Sequence, residues 1–271
     1  MDEVIRVQNL SFAYKQDYEV LKNISLVFDK KSTAIIGQNG AGKTTFVKLL
    51  KGLLKPTSGE IYIKGYNTKE VSTAFLSKYI GLVFQNPNDQ IFKNTVLEEV
   101  MFGPLNILKD KKQAQENAIK ALEMVGLQDK MHIHPYDLGL SDRKLVSIAS
   151  IVSMDPDIII LDEPTIAQDH KGNTIIKNVI KELKEKGKLV ITITHDMDFV
   201  AEIFERTIVL NEGIILLDGN TREVFSQQEI LKKAYLELPH VAQLAKKLGI
   251  KQTLLTEQEL INFLKHNKLN N

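Results

Sequence analysis

Polar and apolar residues alternate along the first part of the chain, in VIRVQNLSFAY (residues 4–14) and YEVLKNISLVF (residues 18–28). Alternation with a period of two is typical of antiparallel strands that bury one face. Later runs are short and apolar throughout, as in TAIIG, DIIIL and KLVITIT, and such runs are typical of strands buried on both faces. The order predicts a small antiparallel sheet followed by a parallel sheet that helices cover.

Helical patterns lie between these strands. Apolar residues recur at helical spacing from about residue 94 to residue 127, and Gly126 stands near the end of the pattern. We expect this segment to form part of a helical insert over about residues 93–152. A further helix is predicted over residues 174–186.

The last part of the chain contains a hairpin and a helical end. RTIVLNEGIILLDG predicts two strands that turn at residues 211–213. After about residue 226 the pattern is mainly helical. We therefore predict a main domain over residues 1–225 and a small C-terminal helical domain over residues 226–271.

The composition narrows the class of protein. Of 271 residues, 43% are hydrophobic, which suffices for a sizeable core. Lys and Arg number 35 against 34 Asp and Glu, so the chain lacks the strong net positive charge that would indicate a nucleic-acid-binding protein. The absence of cysteine excludes disulfides and thiolate metal sites. No run approaches the ~20 apolar residues that span a bilayer, and the first residues lack a signal-peptide pattern, so we expect a soluble protein.

The stretch GQNGAGKT (residues 37–44) matches the phosphate-binding pattern G-x-x-x-x-G-K-[ST] at every position. It follows an apolar strand and opens a helical pattern, which is the context that this P-loop pattern requires. We expect Lys43 to reach the β- and γ-phosphates of a nucleotide and Thr44 to ligate Mg²⁺. Backbone N–H groups of the loop are expected to surround the phosphates. The candidate loop residues are Gly37, Gln38, Asn39, Gly40, Ala41, Gly42, Lys43, Thr44 and Thr45.

Two of the apolar strands end in residues that can carry chemistry. DIIIL leads to Asp162 and Glu163, and KLVITIT leads to His195. Beside a P-loop, Asp162 is predicted to join the Mg²⁺ shell and Glu163 to accept a proton from an attacking water. His195 is predicted to contact the γ-phosphate at the same edge of the sheet. Taken alone, an acidic pair is more often a helix cap and a lone histidine more often structural, and the P-loop favours the functional interpretation.

Two further residues are candidates. Gln85 stands at a strand end before a turn in GLVFQNP, where its amide can join the Mg²⁺ shell and sense the γ-phosphate. Tyr14 can stack on adenine, because a flat amphipathic ring suits a base. The alternative for Tyr14 is a core aromatic residue on an alternating strand.

Together these motifs resemble the ATP-binding subunit of ABC transporters over residues 1 to about 225. Their order is an aromatic residue, the P-loop, a glutamine loop, a signature segment, the acidic strand and a histidine. The resemblance implies an α/β fold: a P-loop NTPase (RecA-like) core with an antiparallel β subdomain and a helical insert. It implies an ATPase that binds ATP and Mg²⁺. It also implies that Asp169, in the loop after the acidic strand, takes part in signalling between subunits. In this chain the loop reads TIAQD, whereas the family usually has a small residue, a glycine and a leucine there.

A narrower resemblance is to the energy-coupling-factor branch. It rests on GLVFQNPNDQIF, NTVLEEVMFGPLN, LDEPTIAQD and LKKAYLELPHVAQLAKKLG. It implies import of a vitamin or transition-metal ion by an assembly on the cytoplasmic face of the cell membrane. The implied partners are a second ATPase subunit, a transmembrane coupling protein and a substrate-binding membrane protein. It also implies that residues 226–271 form a dimerisation domain.

The signature of the family, L-S-G-G-Q, is altered in HPYDLGLSDRKLVSIAS (residues 134–150). The letters LSDRK favour Leu140 as the first residue of the motif. The family's spacing favours Leu138, because that register brings a characteristic alanine onto Ala149 and the lead-in P-x-x-L onto PYDL. We adopt Leu138, so the motif reads L-G-L-S-D.

Every position after the first then departs from the motif. Gly139 replaces the phosphate-binding serine, Leu140 and Ser141 replace glycines, and Asp142 replaces the glutamine. We keep Gly139 and Ser141 as candidate contacts to ATP on a second subunit. Ser141 is expected to cap a helix, with Asp142 favourable in its first turn. The altered motif predicts a heterodimer with a partner that has an intact signature, rather than a homodimer.

The sequence therefore predicts an ATP-hydrolysing subunit of an energy-coupling-factor importer. One alternative is an ABC ATPase not attached to a transporter, although such proteins usually carry two ATPase units or a long coiled-coil insertion. The other alternative is a mainly regulatory nucleotide-binding subunit with little turnover.

Overall fold

The computed structural model describes residues 3–15 and 18–268, with side chains up to residue 266. Its strands form a four-stranded sheet of order β2-β1-β4-β5 and a six-stranded sheet of order β10-β9-β3-β8-β7-β6. The strands are β1 (Ile5–Lys15), β2 (Tyr18–Phe28), β3 (Thr33–Ile36), β4 (Ser58–Ile63), β5 (Tyr66–Asn67), β6 (Ile80–Val83), β7 (Ile158–Asp162), β8 (Leu189–Ile193), β9 (Arg206–Asn211) and β10 (Ile214–Asn220). The small sheet is antiparallel. The large sheet is parallel except for β10 at its edge.

Helices connect and cover these strands. They are α1 (Lys43–Leu50), α2 (Thr73–Leu76), α3 (Val96–Leu108), α4 (Lys111–Met124), α5 (Leu140–Val152), α6 (His170–Glu185), α7 (Met197–Ile203), α8 (Thr221–Ser226), α9 (Gln228–Lys233), α10 (His240–Lys247) and α11 (Glu257–Lys268). No helix in the described ranges has the length and apolar character needed to cross a membrane.

Two large buried clusters lie on the two faces of the parallel sheet. One fills the space between the two sheets around α1, and in it Phe28 and Phe46 are almost fully buried. Burial of a side chain of this size contributes about 1.5–3 kcal/mol relative to leaving it exposed. The other cluster joins the sheet to the helices of the insert and to α6, and it also includes Leu231 and Ala234 of the C-terminal region.

The parallel pairing determines where the candidate residues lie. The carboxyl ends of neighbouring parallel strands meet at one edge of a sheet, which is where ligands bind in open α/β folds. β3 leads into the P-loop, β6 into Gln85, β7 into Glu163 and β8 into His195. One edge of the sheet therefore receives all four segments.

The predicted fold class is confirmed, while some boundaries differ. The hairpin turns where expected, with Glu212 and Gly213 at φ 47° and 82° between β9 and β10. The helix predicted over residues 174–186 begins earlier, at His170, because the Asp169 carboxylate caps it by accepting from the Gly172 N–H at 2.7 Å.

The predicted cap of the signature helix is wrong. α5 begins at Leu140 with Gly139 as its N-cap, so Ser141 lies inside the first turn. The Ser141 hydroxyl instead donates to Gln168 Oε1 at 2.9 Å. Asp142 does lie in the first turn, where a carboxylate is favourable beside the helix N-terminus.

Candidate active site

The P-loop connects β3 to α1 by a turn that two glycines make possible. Gly42 is the N-cap of α1 at φ 101°, a conformation that L side chains rarely adopt. A Cβ on Gly37 would lie 2.1 Å from the carbonyl oxygen of Leu210, so only glycine fits there. The loop therefore keeps its backbone N–H groups at the start of a helix, where anions bind.

Lys43 is held close to this loop. Its side chain is buried, and Nζ donates to the carbonyl oxygens of Gly37 at 2.6 Å and Gln38 at 3.0 Å. Burial lowers the pKa of Lys43, and the charges of Glu163 and Asp162 oppose that effect. Both partners of the ammonium group are thus neutral carbonyl oxygens. A bound phosphate can replace them as a charged partner.

Thr44 and Asp162 form an oxygen-rich corner beside the loop. Thr44 Oγ1 donates to Asp162 Oδ2 at 3.1 Å, and Asp162 Oδ1 is buried without a hydrogen-bond partner. Burial raises the pKa of Asp162. A buried carboxylate oxygen without a partner next to a hydroxyl suits Mg²⁺, which prefers oxygen ligands and keeps several waters or phosphate oxygens. These residues fit the predicted metal.

Glu163 follows directly in an unusual backbone conformation. It has φ 47°, its side chain is buried, and its N–H donates to the carbonyl oxygen of Ile193 at 2.9 Å. His195 Nδ1 lies 3.0 Å from Glu163 Oε1, and the histidine side chain is 63% exposed. A non-glycine residue in the left-handed region costs of order 1–3 kcal/mol, and such strain is common at functional sites.

A cavity of about 470 Å³ brings most candidate residues together. The candidate residues from the sequence that line this cavity are Tyr14, Asn39, Gly40, Gly42, Lys43, Thr44, Thr45, Gln85, Asp162 and Glu163. The structure adds Tyr18, Val20 and Ile193 to this lining. Of the other P-loop candidates, Gly37 and Ala41 are buried behind the loop, and Gln38 Nε2 donates to Asn211 Oδ1 at 3.2 Å.

Tyr14 stands at the mouth of this cavity. It is 58% exposed, so the alternative of a core aromatic residue is wrong. Its hydroxyl lies 3.2 Å from Thr45 Oγ1, and its ring makes an edge-to-face contact with Phe12. More than half of the Tyr14 side chain is therefore accessible, and Tyr18, which is also exposed, is a second aromatic residue that the sequence interpretation missed.

The altered signature lies elsewhere in the chain. We call residues 139–142 the α5 start. Gly139 is exposed, and a Cβ added to it would meet open space, while the Ser141 hydroxyl is bound to Gln168. Asp142 Oδ2 is paired with Lys130 Nζ at 2.5 Å. Gly139, Ser141 and Asp169 are absent from the described lining of the cavity, so one chain does not unite the two halves of the predicted site.

Lys144 is a further residue that the sequence interpretation missed. It is 2% exposed, and its Nζ contacts three backbone carbonyls at the ends of β6 and β7. The sequence contained one indication of this burial. Lys144 precedes Ile148 by four residues, a spacing that places the lysine on the apolar face of a predicted helix.

Comparisons with known proteins agree with this geometry. The family model described as ABC transporter matches residues 21–166. The chain is 38% identical to the energy-coupling factor transporter ATP-binding protein EcfA of Methanocaldococcus jannaschii, over 97% of this chain and 98% of the relative.

Solved structures show the same similarity. CbiO1 from Clostridium perfringens, part of the ABC transporter complex CbiONQ, has a TM-score of 0.76 and 32% identity, covering 91% of this chain and 100% of that one. A dimeric ATP-binding cassette in a post-hydrolysis state, bound to ADP and Pi, has a TM-score of 0.72 and 29% identity, covering 80% of this chain and 99% of that one.

Proposed function

The chain belongs to the ABC transporter family as an ATP-hydrolysing subunit of the energy-coupling-factor type, and we propose that it works as one half of a two-subunit clamp. The observation that carries this proposal is the cavity in which Lys43, Thr44, Asp162 and Glu163 converge. ATP binds this cavity in our proposal, and the α5 start of a second subunit closes over the γ-phosphate.

The P-loop and its neighbours hold the nucleotide. Lys43 exchanges the carbonyl oxygens of Gly37 and Gln38 for β- and γ-phosphate oxygens. Tyr14 stacks on adenine. Thr44, Asp162 and Gln85 would hold Mg²⁺, which would supply positive charge beside the phosphates.

Hydrolysis depends on the residues at the ends of β7 and β8. Glu163 accepts the proton of the attacking water, since its buried carboxylate lines the cavity and both of its oxygens lie 3.0 Å from His195 Nδ1. His195 holds the γ-phosphate and, through its contact with Glu163 Oε1, orients the carboxylate. Gln85 senses the γ-phosphate from the end of β6.

The second half of each site comes from another subunit. We propose a heterodimer, because the α5 start lacks the serine and glycines of the signature and its polar groups already have partners within the chain. The assembly also includes a transmembrane coupling protein and a substrate-binding membrane protein, on the cytoplasmic face of the membrane. Its cargo is a vitamin or a transition-metal ion, chosen by the membrane protein.

The C-terminal region supplies a candidate dimer contact. Leu244 and Leu248 on and after α10 are 46% and 55% exposed, and Ile261 and Leu264 on α11 are 43% and 41% exposed. In each pair the exposed apolar residues are three or four positions apart, a spacing that places them on one side of a helix, and such residues favour an interface. We propose that these residues contact the second ATPase subunit and keep the pair together without nucleotide.

Substitution of the exposed leucines tests this contact without cutting into the core, to which Leu231 and Ala234 belong. Leu244→Gln with Leu248→Gln should convert the nucleotide-free ATPase pair to monomers in light scattering, because the change removes apolar contact area while leaving buried residues in place. Lys247→Gln on the same helix is the control and should leave the pair intact. A pair that survives the double change places the contact elsewhere.

The alternatives receive less support. An ABC ATPase outside a transporter is not favoured, because the full-length relative at 38% identity is a transporter ATP-binding protein. A mainly regulatory subunit does not explain why the cavity retains Lys43, Gln85 and Glu163 together.

Affinity purification tests the proposed assembly. The full chain is tagged and expressed in its native host. After extraction in mild detergent it should co-purify with a second ATPase and with membrane proteins, which mass spectrometry identifies. Recovery of this chain as a homodimer with membrane proteins would overturn the heterodimer. Recovery without any membrane protein would overturn the transport assembly.

A further inference from the structure

Lys144 is a buried lysine whose ammonium group is bound entirely by the backbone of the active site. Nζ donates to the carbonyl oxygens of Phe84 at 2.8 Å, Gln85 at 2.9 Å and Asp162 at 3.0 Å. A lysine ammonium has three N–H donors, so all of them are used. The three acceptors belong to the ends of two neighbouring strands, β6 and β7.

The bond to Asp162 acts on the peptide group that orients Glu163. The carbonyl of this peptide accepts from Lys144, while its N–H, on Glu163, donates to the carbonyl of Ile193 at 2.9 Å. With both polar groups bound, rotation of the peptide would break a hydrogen bond. This pair of bonds supports the left-handed conformation of Glu163 at φ 47°.

The loop that carries Gln85 is attached to the same helix by further bonds. The Phe84 N–H donates to Gln90 Oε1 at 3.2 Å. Gln90 Nε2 donates to the carbonyl oxygen of Ser147 and to Ser150 Oγ, both at 2.9 Å. These bonds join α5 to the loop of Gln85, and Lys144 joins the helix also to Asp162.

Lys144 differs from an apolar residue at this position in the bonds that it makes. The residue is 2% exposed, so the buried ammonium carries a desolvation cost that its three carbonyl partners offset. An apolar side chain would fill the same space without that cost, but it would leave the three carbonyl oxygens without this donor. The lysine supplies what an apolar residue lacks, which is a three-way connection between α5 and two strand ends.

We propose that Lys144 is a positioning residue for ATP hydrolysis, which holds the ends of β6 and β7 in register with α5. It connects movement of the α5 start, the part that meets ATP on the other subunit, to the chain's own Gln85, Asp162 and Glu163. This inference rests on the proposed roles of those three residues.

Lys144→Met tests the proposal, because methionine keeps the length and apolar body of the side chain and removes its donors. In the assembled transporter the turnover number should fall by up to about 10²-fold, the scale expected when reacting groups are misplaced by about 1 Å. The affinity for ATP measured without Mg²⁺ should stay close to that of the unchanged protein, since the P-loop is untouched. Hydrogen exchange should quicken in residues 84–91 and 158–165 of the full chain without nucleotide.

Lys51→Met is the matched control. Lys51 is also buried with its pKa lowered to about 8, and it donates to Ser77 Oγ and to the carbonyl oxygen of Ile80, both at 2.7 Å. It therefore binds the opposite end of β6, away from the cavity. The control should lower the free energy of unfolding yet retain turnover and leave exchange in residues 158–165 unchanged.

The conservative variant separates positioning from packing. Lys144→Arg should recover part of the turnover and slow the exchange, because it restores charged donors. Lys144→Gln provides the same comparison should Lys144→Met fail to fold. Unchanged turnover in folded Lys144→Met or Lys144→Gln, or an equal loss in Lys51→Met, overturns the proposal. If Glu163→Gln itself retains turnover, the proposed active site is wrong instead, and the two failures are distinguishable.

Discussion

The cavity and the α5 start differ in how their polar groups are satisfied. In the cavity, Asp162 Oδ1 is buried without a hydrogen-bond partner, and Glu163 Oε2, also without one, has the exposed His195 Nδ1 at 3.0 Å. At the α5 start, the hydroxyl of Ser141 is bound to Gln168 and the carboxylate of Asp142 is paired with Lys130. Leaving a buried polar group unpaired costs free energy that bound ligand can offset. The cavity therefore has a polar group that a bound ligand can satisfy, whereas the polar side chains of the α5 start already have partners within the single chain.

The pairing of Asp142 with Lys130 affects how the altered signature would interact with a phosphate. An unpaired Asp142 carboxylate would repel a γ-phosphate, and pairing with Lys130 reduces that repulsion. The missing serine and glycines remain the main departures. Their loss removes donors that would stabilise the charge developing on the phosphate in the transition state.

The largest expected effect comes from disabling the cavity. Glu163→Gln should slow ATP hydrolysis by about 10²-fold or more, the scale of general-base catalysis, while ATP binding is retained and a closed dimer accumulates. Turnover in the assembled complex and equilibrium binding of ATP measure the two effects.

Glu99 provides the control for a buried glutamate. Its carboxylate accepts from the N–H groups of Phe92 and Lys93, both at 2.9 Å, in the helical insert away from the cavity. Glu99→Gln should reduce stability and leave turnover nearly normal. If Glu163→Gln also turns over normally, Glu163 has no role in water attack.

A smaller effect is expected when the α5 start is supplied by another chain. The purified subunit alone should hydrolyse ATP slowly, and an added partner with an intact signature should raise the rate by about 10-fold or more, because restored phosphate donors stabilise the transition state. Inactivation of the partner's signature should abolish the gain.

Restoring the motif in this chain sharpens the same comparison. Gly139→Ser with Leu140→Gly should leave the rate of the mixed assembly similar or raise it, and the space around Gly139 admits the serine. A fast dimeric ATPase made from this chain alone would contradict the heterodimer and assign the phosphate contact to Ser141 or to backbone groups.

The smallest effect is expected from the contact between the α5 start and the loop before α6. Gln168→Ala removes the bonds to the hydroxyl and the carbonyl oxygen of Ser141 and should cost about 1 kcal/mol of unfolding free energy per bond. Turnover should change little, because neither residue lines the cavity. Denaturant unfolding and turnover are measured together, with exposed Thr174→Ala on α6 as the control. A large loss of turnover would show that this contact holds the site in its working form.

The P-loop was predictable because its requirements are local. Gly37, Gly42 and Lys43 lie within one turn and one helix start, where backbone conformation and the helix N-terminus decide the chemistry. The parallel strands were also predictable, since apolar runs too short for helices mark them, and their carboxyl ends then share one edge. Tyr14 was ambiguous, because an alternating strand does not reveal which of its aromatic residues remains exposed.

The sequence by itself determined the order of the elements, the phosphate loop and the acidic pair, because each depends on neighbours along the chain. Only the tertiary structure decided the partners of Ser141 and Lys144. Ser141 and Gln168 are 27 positions apart, and Lys144 and Phe84 are 60 apart. Hydrogen bonds over such separations depend on how α5 packs against the sheet, and no local pattern specifies which polar groups that packing brings within reach.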